Sequence, residues 1–179
     1  MKCAIVYLIK GEAKEYHKKL TRKISKKFNV QCISDKIDPH LTLKYFDQQL
    51  DANKLRQVEN ILDRFVKSHK KSKIKFKGIG NFGRNVLFVD VKPSESFIKT
   101  FLDLVKELKK LKWITWLEYD GEKAHFHSTL ATEDIEEKFD EIFKFLMKEK
   151  PNFNLDFDNI TIIIKPRNKW ITYREFILK

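Results

Sequence analysis

The chain has 179 residues, 42% hydrophobic and 13% aromatic, long enough for one sizeable globular domain or for two small lobes sharing a core. No apolar run approaches the ~20 residues of a membrane span, and Cys3–Ile9 is too short for a signal-peptide core and lacks a small-residue cleavage site, so a cytoplasmic protein without membrane attachment is expected. The net charge of +12, mostly from lysine, favours phosphate-bearing partners without identifying one, because lysine-rich usage alone gives the same balance.

In chain order, the apolar run Cys3–Ile9 predicts a buried strand. Tyr16, Leu20, Ile24 and Phe28 recur every four residues and predict a helix from about Glu12 to Phe28. Phe28–Ile33 is expected to be extended, and Asp38-Pro39 breaks the chain ahead of a strand at His40–Phe46. Asp51 can cap a second helix whose inner face carries Leu55, Val58, Ile61, Leu62, Phe65 and Val66. Ile74–Ile79 alternates as a half-buried strand, and the loop Gly80–Asn85 leads into a strand at Val86–Val91. Pro93-Ser94 opens a helix through Leu111. Trp113–Tyr119 is read as loop with some extended backbone, and Asp120-Gly121 as a turn. Ala124–Ala131 is predicted as a strand, Glu133–Lys148 as a helix ended by Pro151, and Ile160–Ile164 and Trp170–Leu178 as strands joined by a turn at Pro166–Lys169. Cys3 and Cys32 have no metal-ligand spacing and are read as buried free thiols.

Two of these strands carry the same pattern. His40-Leu41-Thr42-Leu43 and His127-Ser128-Thr129-Leu130 both read His-x-Thr-Leu. Residues two apart on a strand share a face, so each copy presents one imidazole and one hydroxyl on the same side. Each half of the chain reads strand, helix, His-x-Thr strand, helix, strand or hairpin. The fold class expected is therefore α+β, a single domain over 1–179 made of two lobes with antiparallel sheets related by a pseudo-dyad. Two such pairs facing across a cleft suit phosphodiester cleavage. Histidine titrates near 6.5, so one can act as base and the other as acid, while threonine hydroxyls donate to the non-bridging oxygens.

These motifs resemble the paired His-x-[Thr/Ser]-x signatures of the 2H phosphoesterases, the nearest branch being the 2′-5′ RNA ligase or RNA 2′,3′-cyclic phosphodiesterase group. The resemblance extends to the opening strand, to Pro39, to Phe82–Val91 and to Trp170–Leu178. It implies a bilobal duplicated fold around a central cleft, with His40, Thr42, His127 and Thr129 as the catalytic set and no metal or other cofactor. It implies opening of a 2′,3′-cyclic phosphate at an RNA 3′ end or on a nucleotide, usually to a 2′-phosphate, with 2′-5′ ligation as a side activity of some members.

Relatives often have proline where Phe126 stands, preceded here by His125. His125 shares a face with His127 and is read as a bystander at the cleft rim or a substrate contact. A metal site there is not expected, since no carboxylate-rich partner motif accompanies it. Arg84, Phe82 and Tyr173 are weaker candidates for substrate binding; Phe82, Tyr45, Phe126 and Tyr173 could each stack on a base, but core packing is the better account of each. Lys44 is read as turned to the back face and is left unassigned, and His17 and His69 are read as solvated within lysine-rich segments. The alternatives are a non-catalytic module that binds RNA ends, and a phosphodiesterase for a small molecule such as ADP-ribose 1″,2″-cyclic phosphate or a 2′-5′ oligonucleotide. A monomer is expected.

Overall fold

The apolar run at the start of the chain forms β1 (Lys2–Leu8), in which Cys3–Tyr7 are all buried because both faces of the strand are covered. This is seen in a computed structural model that describes residues 1–179. Helix α1 (Gly11–Phe28) buries Ala13, His17, Leu20, Thr21 and Ile24 and ends at Asn29, whose left-handed φ of 51° closes the last turn. The short helix α2 (Ile33–Lys36) follows, where extended chain is expected only up to its first residue. Then come β2 (His40–Phe46) and α3 (Ala52–Ser68), the latter capped by Asp51 accepting from the Lys54 amide at 2.8 Å.

The middle of the chain gives β3 (Ser72–Phe82), β4 (Val86–Pro93), α4 (Glu95–Leu108) and β5 (His127–Thr132). Trp113–Tyr119 contains no strand. The helix expected over Glu133–Lys148 is shorter: Glu133 adopts a φ of 72°, and only α5 (Phe139–Leu146) is α-helical after a 3-10 turn at Glu136–Lys138. The chain closes with β6 (Asn152–Phe157), β7 (Asn159–Lys165) and β8 (Ile171–Ile177). No helix is long and apolar enough to cross a membrane.

The strands form two antiparallel four-stranded sheets, in the orders β2-β1-β7-β8 and β5-β4-β3-β6. The sheets do not follow the halves of the chain. The first joins the two ends of the sequence, and the second is made from its middle. One continuous hydrophobic cluster, from Cys3 in β1 to Leu146 in α5 and Phe157 in β6, runs through both. The arrangement is the bilobal α+β fold, and β2 and β5, an edge strand of each sheet, lie against each other at its centre.

Both central strands are bulged at the same point. Val6 pairs with Thr42 and Ile5 with Lys44, so Leu43 is skipped. Phe88 pairs with Thr129 and Leu87 with Ala131, so Leu130 is skipped. A bulge inserts one unpaired residue and re-aims the side chains beyond it. Strict alternation would put Lys44 beside Thr42. Instead Lys44 faces the core, buried, paired with Asp120 and 4.8 Å over the Trp116 ring, while Tyr45 returns to the outer face against Trp170.

Candidate active site

His40 and His127 line one cleft of about 280 Å³ between the two sheets, together with Thr129, Lys36, Lys165 and Trp170. Each histidine is the first residue of its strand. Each is held by a bond to the carbonyl two residues before it: His40 Nδ1 lies 2.8 Å from Asp38 O, and His127 Nδ1 lies 2.8 Å from His125 O. A carbonyl can only accept, so Nδ1 carries the hydrogen in both rings. Nε2 is then the atom on each ring that is free to gain or lose a proton. The two motifs thus repeat in tautomer as well as in sequence.

Both imidazoles are half-buried, and both are harder to protonate than free histidine. For His40 the main cause is burial, partly offset by the Asp38 carbonyl and reinforced by charge on His127. For His127 it is again burial, offset by the His125 carbonyl and reinforced by charge on His125. Each ring therefore resists the proton more when its neighbour holds one. Thr129 faces the cleft. Thr42 is exposed on the same sheet face as Val6, its cross-strand partner, and is not among the residues that line the cleft.

The weaker candidates separate. Phe82 packs edge-on against the His127 ring, centroids 4.8 Å apart, with Phe88 at 4.9 Å on the same ring. His125 is exposed at the rim, with Nε2 3.0 Å from Asp90 Oδ1. Arg84 does not reach the cleft. Its guanidinium binds both oxygens of Asp140 at 3.0 and 2.9 Å, and that ion pair raises its pKa. Tyr173 lies exposed on β8, the outer edge of the first sheet, away from the cleft lining. Phe126 is core, packed between Phe97 and Phe101.

Two histidines expected in solvent are not there. His17 is buried at 3% exposure, and His69 is partly covered, stacked on Phe65 at 3.8 Å with Nδ1 2.9 Å from the Phe65 carbonyl. Cys3 is buried and Cys32 half-buried, both free. No three His, Cys, Asp or Glu side chains converge as a metal site. Sequence reasoning missed Lys36, Lys165 and Trp170. Lys36 pairs with Glu133 at 3.2 Å, and Lys165 makes no ion pair.

A family model of the 2′-5′ RNA ligase superfamily matches residues 12–169. Among solved structures, E. coli LigT complexed with 3′-AMP superposes with a TM-score of 0.66 at 14% identity, covering 99% of this chain and 98% of that one. TT0787 of Thermus thermophilus gives 0.65 at 14% identity over 99% and 98%. A structure described as a phosphoesterase gives 0.67 at 13% identity over the same shares. These likenesses carry the fold. No curated protein matches by sequence.

Proposed function

Because the chain belongs to the 2′-5′ RNA ligase superfamily, a phosphoesterase-type enzyme, we propose that it opens 2′,3′-cyclic phosphates at RNA 3′ ends or on nucleotides without a metal ion. The observation that carries this reading is the matched pair of imidazoles, each with Nδ1 fixed by a carbonyl and both lining one cleft. Water attacks phosphorus while one Nε2 takes its proton. The other Nε2–H gives a proton to the departing ribose oxygen as the P–O bond breaks, leaving a ring-opened phosphomonoester. Charge on the phosphate offsets the burial that makes the imidazoles reluctant to protonate, so substrate itself favours the acid form. Thr129 in the lining, and Thr42 as its counterpart in the first motif, donate to the non-bridging oxygens. Lys165, which has no carboxylate partner, attracts the anion, and Trp170 with Ile33 and Ile37 forms an apolar wall for a base. With a 5′-hydroxyl in place of water as the nucleophile, the same forward steps break the P–O3′ bond and leave a 2′-5′ phosphodiester, which is ligation.

The test is turnover in EDTA on RNA oligonucleotides with 2′,3′-cyclic ends, cyclic mononucleotides, ADP-ribose 1″,2″-cyclic phosphate and a 2′-5′ dinucleotide. His40→Ala and His127→Ala are each expected to remove most activity, and the double variant to be little worse than either. Full activity in either single variant, or loss in EDTA restored by Mn²⁺ or Zn²⁺, would overturn the mechanism.

A further inference from the structure

The two motif strands belong to different sheets, so no backbone ladder joins β2 to β5. The spacing of the imidazoles must be set by side chains. Helix α1, which connects β1 to β2 in the first sheet, rests against β5 of the second. On its inner face His17 is 3% exposed, with Nε2 3.1 Å from Ser128 Oγ, itself 1% exposed. Ser128 is the residue between His127 and Thr129, turned to the opposite face of the strand.

The Nδ1 of His17 meets no partner; on its other side the ring meets the Ser128 hydroxyl, with the backbone of Ser128 and Thr129 beside it. Placing the ring hydrogen on Nε2 leaves only a bare acceptor unpaired, rather than an N–H. His17 does not line the cleft. Burial, with the charge of His40 acting the same way, pushes its pKa down to about 4, so it stays neutral where a phosphoesterase with a poised histidine pair works. It is suited to neither acid nor base duty. Its place is between the motifs, bonded to one and within the field of the other.

We propose that His17 is a positioning residue: through Ser128 it fixes β5 against the first lobe and so sets the separation of His40 and His127. The inference rests on reading those two histidines as the working pair. A shift of about 1 Å in a reacting group costs up to a hundredfold in rate. With a cyclic-phosphate substrate, His17→Phe is expected to lower kcat roughly tenfold to a hundredfold while KM changes less than about twofold. Glutamine can place an amide N–H near the position of the imidazole Nε2–H, so His17→Gln should recover much of that loss. Ser128→Ala should lower kcat to a similar degree, and His17→Phe/Ser128→Ala should be no worse than His17→Phe, because both break one link.

Wild-type kcat in folded His17→Phe, or additive losses in the double variant, would remove the proposed role. If His17→Phe does not fold, Ser128→Ala and His17→Gln decide: unchanged kcat in Ser128→Ala rejects the link. The assay separates this failure from that of the proposed function. An inactive His40→Ala beside a fully active Ser128→Ala rejects only the positioning role, and an active His40→Ala rejects the phosphoesterase reading beneath it.

Discussion

Leu43 and Leu130 occupy the same place in their strands: each follows a His-x-Thr triplet, and each is the residue its neighbouring strand skips. Both are buried, and the residues after them, Lys44 and Ala131, are buried too. In the first lobe this sends an ammonium into the core, where Asp120 meets it and also accepts from the Leu117 amide at 2.8 Å. The pair ties the first motif strand to the loop that leads into the second. Removing the carboxylate strands a buried charge, which costs about 3–5 kcal/mol for a fully buried pair and less here because Asp120 is partly open. Asp120→Ala is therefore expected to be destabilised by about 2 kcal/mol in urea unfolding, and Lys44→Met by clearly less. Equal losses would show that the charge is not the reason Asp120 is needed.

In the proposed mechanism the reactive form carries one proton shared between His40 and His127. Both rings are shifted below the ordinary histidine value of 6.5, so the singly protonated pair is most populated on the acid side of it. The kcat/KM profile is expected to be bell-shaped with its maximum below pH 6.5, and to fall about tenfold per unit on the far alkaline limb. A maximum above pH 7 would contradict the environment described for these rings.

Gly80 is opposite Phe88 across the β3–β4 pair, and a Cβ placed on it would stand 2.4 Å from the Phe88 ring. That ring is one of the two aromatics against which His127 rests. Gly80→Ala must displace the Phe88 ring, and with it one of the two aromatics that hold His127 in place. Since the ring, rather than the backbone, has to move, kcat should fall about tenfold or more with a stability loss of about 1–3 kcal/mol. An alanine variant with unchanged kcat and Tm would mean that Phe88 can move without taking His127 with it.

His17 gives the fold an acid liability. The unfolded chain takes up a proton near pH 6.5, whereas the buried ring resists until about pH 4. Above 6.5 the ring is neutral in both states and stability is unaffected. As pH falls from 6.5 towards 4 the unfolded state gains protons first, and up to about 3 kcal/mol is lost. Urea titrations at pH 7.5 and pH 5 should show a smaller loss for His17→Gln than for the wild-type chain. Parallel losses in the two proteins would place the liability elsewhere.

The His-x-Thr pairs were legible because strand alternation acts within a few residues, and Pro39 marks where the first begins, whereas the second starts at His127, three residues inside the strand expected from Ala124. The features that escaped depend on partners distant in sequence. Lys44 is on the back face as expected, but its burial against Asp120, 76 residues further along, is not encoded by the strand itself. Arg84 is taken from the cleft by Asp140 on another element. His17 had a local signal: Ala13, His17, Leu20 and Ile24 fall on one helical stripe, beside the neighbouring stripe of Tyr16, Leu20, Ile24 and Phe28. Strand β6 also had one, since Phe153, Leu155 and Phe157 alternate, although the asparagines between them are poor strand formers.

The first sheet is finished by strands from the far end of the chain, with Ile5 lying opposite Ile162. Its closure is a long-range event, whereas β3–β6 can assemble from nearer segments. During synthesis the second sheet can be complete while β1 still has one side bare, waiting for β7 to leave the ribosome. A chain stalled after Phe157 carries both motif histidines and every residue of the second sheet, yet only half of the first. Such nascent chains are expected to show no turnover, and co-expression of the missing hairpin as a separate peptide would report whether the last two strands alone complete the enzyme.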